Sequence, residues 1–191
     1  MSAPIPEPGR VAPVLMRTNW HITIGTYGAR LHGDARPTVD RRHNRRNEPY
    51  IGANPARAQA ERRRMRSEVV MLCLEQRGRI EAAMRAVCER GGWGLHAVAA
   101  APDHVHVVVQ ATEAARGDRV RQWMKRWLSE ELWRKWPVAS GGPEQWWAEG
   151  GSVKPVLSER YLDEVTRSVR EQSVAAGVGT GAARPGSVRQ G

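Results

Sequence analysis

Phenylalanine is absent from this chain, tyrosine occurs three times and cysteine twice, although tryptophan occurs eight times. Cys73 and Cys88 have neither the spacing of metal ligands nor that of a disulfide framework. They read as small core residues, and a reducing, cytoplasmic compartment fits them. The first residues, MSAPIPEPGRVAPV, lack the charged-then-apolar build of a signal peptide. No apolar run approaches the roughly 20 residues of a membrane span, so no membrane partner is expected. No internal repeat is visible, which argues against solenoids and propellers.

Acidic residues are scarce beside basic ones: 30 Lys+Arg against 20 Asp+Glu leave a net charge of +10. An excess of that size favours a polyanionic partner, nucleic acid first. It is concentrated, because residues 28–66 hold eleven arginines against four acids. Arg41, Arg42, Arg45 and Arg46 are its densest part and are candidate DNA contacts, although a solvated arginine-rich loop has the same composition. At 191 residues there is room for one domain with a core, plus tails.

The most informative motif is Pro102-Asp103-His104-Val105-His106, which runs into Val107-Val108-Val109-Gln110. A β-branched run reads as a strand, and strand side chains alternate between faces. His104 and His106 therefore share one face, about 7 Å apart at Cα, close enough to converge on one metal ion. Taken alone, such a pair equally describes two histidines on a polar sheet face.

Residues 1–14 are Pro-rich and read as a disordered arm; residues 173–191 are Gly/Ala/Ser-rich and read as a flexible tail. Between them, Trp20–Thr26 alternates as a strand, with Trp20, Ile22 and Ile24 on one face. Residues 28–66 read as an irregular, functional insertion. A short extended piece at 69–72 precedes a helix over 75–90, which stops at Gly91-Gly92. Strands over 93–100 and 104–110 form a hairpin. A helix over 118–136, a strand over 151–157 and a helix over 159–172, N-capped by Ser158, complete the domain. The order β-α-β-β-α-β-α predicts an α+β fold, a ferredoxin-like sandwich: an antiparallel four-stranded sheet with helices on one face, plus a C-terminal helix.

The helix over 118–136 interleaves Arg121, Lys125, Arg126, Arg134 and Lys135 with Trp123, Trp127, Trp133 and Trp136. Charge beside flat rings suits a single strand or a hairpin stem. Arg121, Lys125 and Arg126 are DNA-binding candidates. Trp123 and Trp127 are assigned to the core, and Trp133 and Trp136 are left open.

With these landmarks the chain resembles the single-tyrosine HUH transposases, the IS200-like and REP-associated tyrosine transposases, over about 15–172. The resemblance rests on Asp-His-Val-His-Val-Val-Val in the third strand and on the helix after the fourth. Thr26-Tyr27-Gly28, Leu31-His32-Gly33-Asp34, Val39 to Asn44 and Trp146 to Ser152 add to it. It implies that His104, His106 and Gln172 hold one Mg²⁺ or Mn²⁺ ion. That ion polarises a phosphate of single-stranded DNA or of a DNA hairpin, in a homodimer. A tyrosine four residues before the amide ligand attacks and leaves a phosphotyrosine. A phenol serves because its pKa near 10 makes it both nucleophile and leaving group.

This chain has Ser168 at that position. An alkoxide is a poor leaving group, and no His or Lys on the helix activates the serine. Tyr161 lies two helical turns earlier, about 10.5 Å along the axis. It either anchors the helix start or supplies the nucleophile after a helix shift or from a second subunit. Two functions follow: a strand-nicking and rejoining transposase, or a catalytically impaired descendant that binds DNA only. The two-histidine RNA phosphoesterases need a pair of His-x-Thr/Ser motifs, and that pair is absent. The large-barrel His-x-His hydrolases need a longer chain.

Overall fold

The computed structural model describes residues 17–31, 54–112 and 114–174. Four strands, β1 (Arg17–Gly25), β2 (Gly94–Ala100), β3 (His104–Thr112) and β4 (Ser152–Val156), form one sheet in the order β2-β3-β1-β4. All neighbours are antiparallel. The helices are α1 (Pro55–Arg64), α2 (Leu74–Arg90), α3 (Gly117–Lys135) and α4 (Glu159–Glu171). This is the α+β, ferredoxin-like order that the sequence predicts, with element ends within a few residues of the expected ones.

Register sorts the two faces. Ile22 lies opposite Val107, and Ile24 opposite Val105. These four are fully buried in the main core, against Ile80 and Met84 of α2 and Val120, Met124 and Leu128 of α3. The opposite face carries His21, Thr23, His104, His106 and Val108. There α4 packs Val165 and Val169 over Ala97, Ala99 and Val108. The alternation of the Val run thus feeds two cores, and α4 covers part of the histidine face. Gly117 lets α3 start close to the sheet, since a Cβ there would stand 2.5 Å from Val153 Cγ1 and 2.7 Å from Trp20.

Three expectations change. The 28–66 insertion is not wholly irregular, because Asn54 accepts from Arg57 N (3.0 Å) and starts α1 with Pro55 in its first turn. This helix buries no residue, and Arg62, Arg63 and Arg64 complement its C-terminal dipole. Trp123 is not core: it is 40% exposed, at the outer end of a stack in which Trp127 follows at 5.3 Å and Trp93 at 5.5 Å. Cys73 is exposed at the N-terminal end of α2, whereas Cys88 is buried. Arg41, Arg42, Arg45, Arg46, Tyr50, the 1–14 arm and residues 175–191 lie outside the described residues. Among the described residues no helix is long and apolar enough to cross a membrane.

Candidate metal and nucleic-acid site

His104 and His106 stand on one face of β3, as their spacing requires, with their Nε2 atoms 3.0 Å apart. The far side of each ring is held. His104 Nδ1 lies 2.5 Å from Asp103 Oδ1, and Arg30 Nε donates to Asp103 Oδ2 (3.2 Å). His106 Nδ1 lies 3.0 Å from Thr23 Oγ1 and 3.3 Å from His21 Nε2. Burial pulls the His106 imidazole down to about 4, and neighbouring His104, His21 and Arg30 add to this. His106 is therefore neutral at pH 7, with a lone pair on one ring nitrogen. Its Nε2 is the atom that faces His104.

Burial pushes the Asp103 carboxyl up, but the hydrogen bond and charge of His104, with Arg30, outweigh it and leave it below the usual range. Asp103 is thus an ionised partner of the kind that fixes a ligating histidine's tautomer. The 3.0 Å between the Nε2 atoms is the spacing of adjacent ligands on an octahedral ion with bonds of about 2.1 Å. Two imidazoles with their Nδ1 sides tied fit Mg²⁺ or Mn²⁺ as a partial donor set.

The remaining donor would come from α4. Ser158 caps this helix by accepting from Tyr161 N (3.3 Å). Gln172 Nε2 donates to Ser168 O (3.0 Å) and Ser168 Oγ (3.3 Å), so the two residues meet on one face of the helix end. Among the described residues no hydrogen bond joins Gln172 to either histidine. Nor do three His, Cys, Asp or Glu side chains group to hold an ion. Tyr161 is 38% exposed at the other end of α4. Tyr27 is an anchor, its hydroxyl accepting from Arg66 N (3.0 Å).

The basic candidates on α3 are engaged. Lys125 Nζ donates to Ala148 O, Glu149 O and Gly150 O at 2.6, 2.9 and 2.6 Å. Arg121 Nη1 donates to Gly151 O (2.6 Å). Arg126 pairs with Glu130 (3.4 Å) and lies over the Trp123 ring. Of the open tryptophans, Trp133 donates to Pro143 O (2.8 Å), and Trp136 meets Trp146 edge-on.

Sequence reasoning missed His21. Its signal is the parity it shares with Thr23, and His21-Ile22-Thr23 is a single copy of the His-x-Thr spacing. Only the β1–β3 register, with Thr23 opposite His106, brings that triplet to the site.

A ferredoxin-like sandwich with a His-x-His pair on its third strand, backed by a carboxylate and a hydroxyl, defines an HUH-type class. Residues 63–172 match the family described as "Transposase IS200 like". The chain belongs to that family. A 1.90 Å crystal structure of a protein from Deinococcus radiodurans R1, assigned as a transposase, superposes with a TM-score of 0.43 and 14% identity. That similarity covers 88% of this chain and 98% of the other. No curated protein matches.

Proposed function

We propose that this transposase-like protein binds single-stranded DNA and DNA hairpins, that His104 and His106 hold Mg²⁺ or Mn²⁺, and that phosphotyrosine chemistry has been lost at Ser168. The observation that carries the reading is the facing Nε2 pair at 3.0 Å, with both Nδ1 atoms held by partners. Gln172 is the third ligand in this proposal, because its amide nitrogen is turned onto Ser168 and its Oε1 has no protein donor among the described residues. When bound, the ion would supply Lewis-acid polarisation of a phosphate oxygen. Asp103 and Thr23 would hold the imidazole tautomers, and Arg30 would keep Asp103 ionised. A homodimer belongs to the proposal on the family resemblance alone.

The side chain beside Gln172 is Ser168 and not a tyrosine, which supports lost or impaired strand transfer. A second reading has one observation in its favour. The Tyr161 hydroxyl, exposed on the same helix, has no hydrogen-bond partner among the described residues, so a phenol is free to act if α4 shifts.

An adduct assay decides between them. Wild type, Tyr161→Phe and Ser168→Tyr are incubated with end-labelled single-stranded hairpins, with and without Mn²⁺. No adduct in wild type and a metal-dependent one in Ser168→Tyr is the expected result. An adduct in wild type that disappears in Tyr161→Phe establishes the second reading instead.

A further inference from the structure

Lys125 and Arg121 together bind four consecutive carbonyls, those of Ala148, Glu149, Gly150 and Gly151. In a planar trans peptide the C=O and the following N–H point in opposite directions. The N–H groups of Glu149, Gly150 and Gly151 therefore point away from Lys125. Among the described residues none of the three has a protein acceptor.

Placement follows from the sheet. Helix α3 packs on the Ile22 and Ile24 face through Val120 and Met124, so Lys125 reaches the loop from that side. The amides then face the other side, the one on which Thr23, His104 and His106 stand. Ala148 N donates to Gly25 O (2.9 Å), and Gly25 lies opposite His104. At the loop's other end, Ser152 lies opposite Thr23. Gly151, at φ +136°, seats the loop where a Cβ would stand 2.5 Å from Thr23 O, and Gly150 has open space around it. Trp147 Nε1 donates to Lys125 O (3.0 Å) and locks the loop to α3 from the protein side.

We propose that loop 148–151 binds the phosphodiester backbone of single-stranded nucleic acid through the N–H groups of Glu149, Gly150 and Gly151, beside the histidine pair. This rests on the DNA-binding function proposed above. Since the carbonyls converge on one ammonium, the amides on the reverse diverge. Diverging donors do not cage one small anion; they suit successive phosphates along an extended strand. The glycines allow close approach, and the cations below offset the Glu149 carboxylate. Lys125 and Arg121 are positioning residues here, not phosphate contacts.

The test uses the full chain, labelled with ¹⁵N, titrated with a short oligothymidylate and, separately, with inorganic phosphate. The three amides should shift with oligothymidylate and stay put in phosphate at equal phosphate concentration. Amides unmoved at saturation overturn the site, and equal shifts with free phosphate overturn its extended-backbone character. Gly150→Pro, which removes one donor, should weaken binding roughly fivefold, while Gly150→Ala, which keeps it, should change binding by under about twofold. Equal loss in both variants also overturns the site. If Gly150→Pro fails to fold, the wild-type titration decides alone. Lys125→Met should weaken binding without lowering the salt slope; a smaller slope would make Lys125 a direct phosphate contact. Failure of wild type to bind oligothymidylate at all overturns the proposed function, an outcome distinct from binding that leaves these amides unmoved.

Discussion

Asp103 holds His104 Nδ1 and Thr23 holds His106 Nδ1, which leaves both Nε2 atoms facing each other, so these two partners should govern metal affinity without touching the ion. Asp103→Asn keeps the shape but loses the charge that faces His104 Nδ1 at 2.5 Å. Loss of such a partner should lower Mn²⁺ affinity about 10- to 100-fold, read by electron paramagnetic resonance of free Mn²⁺. Unchanged affinity would mean that the pair does not hold the ion in this way. The histidines themselves were legible, because a period of two puts both on one face whatever the fold. Their partners were less so. Asp103 is a sequence neighbour, but Thr23 and His21 arrive through a register about eighty residues away along the chain, which no local pattern encodes.

Lys125 makes a second case at this scale. Burial pulls its ammonium down to about 8, with Arg121 adding and Glu149 opposing. In the unfolded chain a lysine titrates near 10.4. Below the folded value both states are charged, and the cost of burying the ammonium is fully present. Between about 8 and roughly 10.4 the unfolded chain keeps the proton that the folded protein has released, so this group's contribution rises with pH. Urea unfolding should therefore show the stability of wild type minus that of Lys125→Met rising across that window. A flat difference would show that the three carbonyls keep the ammonium charged.

At the scale of elements, α4 decides what stands near the histidines. Its inward residues Val165 and Val169 are buried on Ala97, Ala99 and Val108, while Ser168 and Gln172 remain exposed. Arg170 donates to His96 O (3.0 Å), and Glu81 accepts from Val174 N (3.0 Å), which ties the helix end to β2 and α2. Val169→Ala opens space under that end and should cost roughly 2 kcal/mol in urea unfolding. Faster amide exchange should be confined to the end of α4; unaltered exchange there would mean that Val169 does not hold it. The 3.6-residue spacing and the Ser158 cap made this helix legible. By contrast α1 was hidden, since its mean composition is arginine-rich and it has no apolar stripe; its cap residue Asn54 was the available signal. Trp123 failed for a related reason: helical spacing gives a face, but the partner's width decides whether the last ring on that face is covered.

For the whole molecule, charge is the property that the fold redistributes. Lys125 and Arg121 are drawn inward onto carbonyls, and Arg79, Arg90, Arg126 and Arg134 pair with Glu130 or Glu131. Of the basic side chains that α3 offers to a polyanion, Arg121, Lys125, Arg126 and Arg134 are therefore already engaged within the protein. Arg62, Arg63 and Arg64 differ, since they stand at the end of a helix that buries no residue. If these three touch a single strand, each neutralised phosphate contributes about 0.7 to the slope of log affinity against log salt. Replacing all three by alanine should reduce that slope by about 2 and weaken binding alike for unrelated sequences. Because α1 packs nothing into the core, the variant should unfold at the wild-type urea concentration. An unchanged slope with unchanged stability would move the electrostatic contact elsewhere on the molecule, whereas a lost fold would mean that α1 supports the sheet in a way its exposure does not reveal.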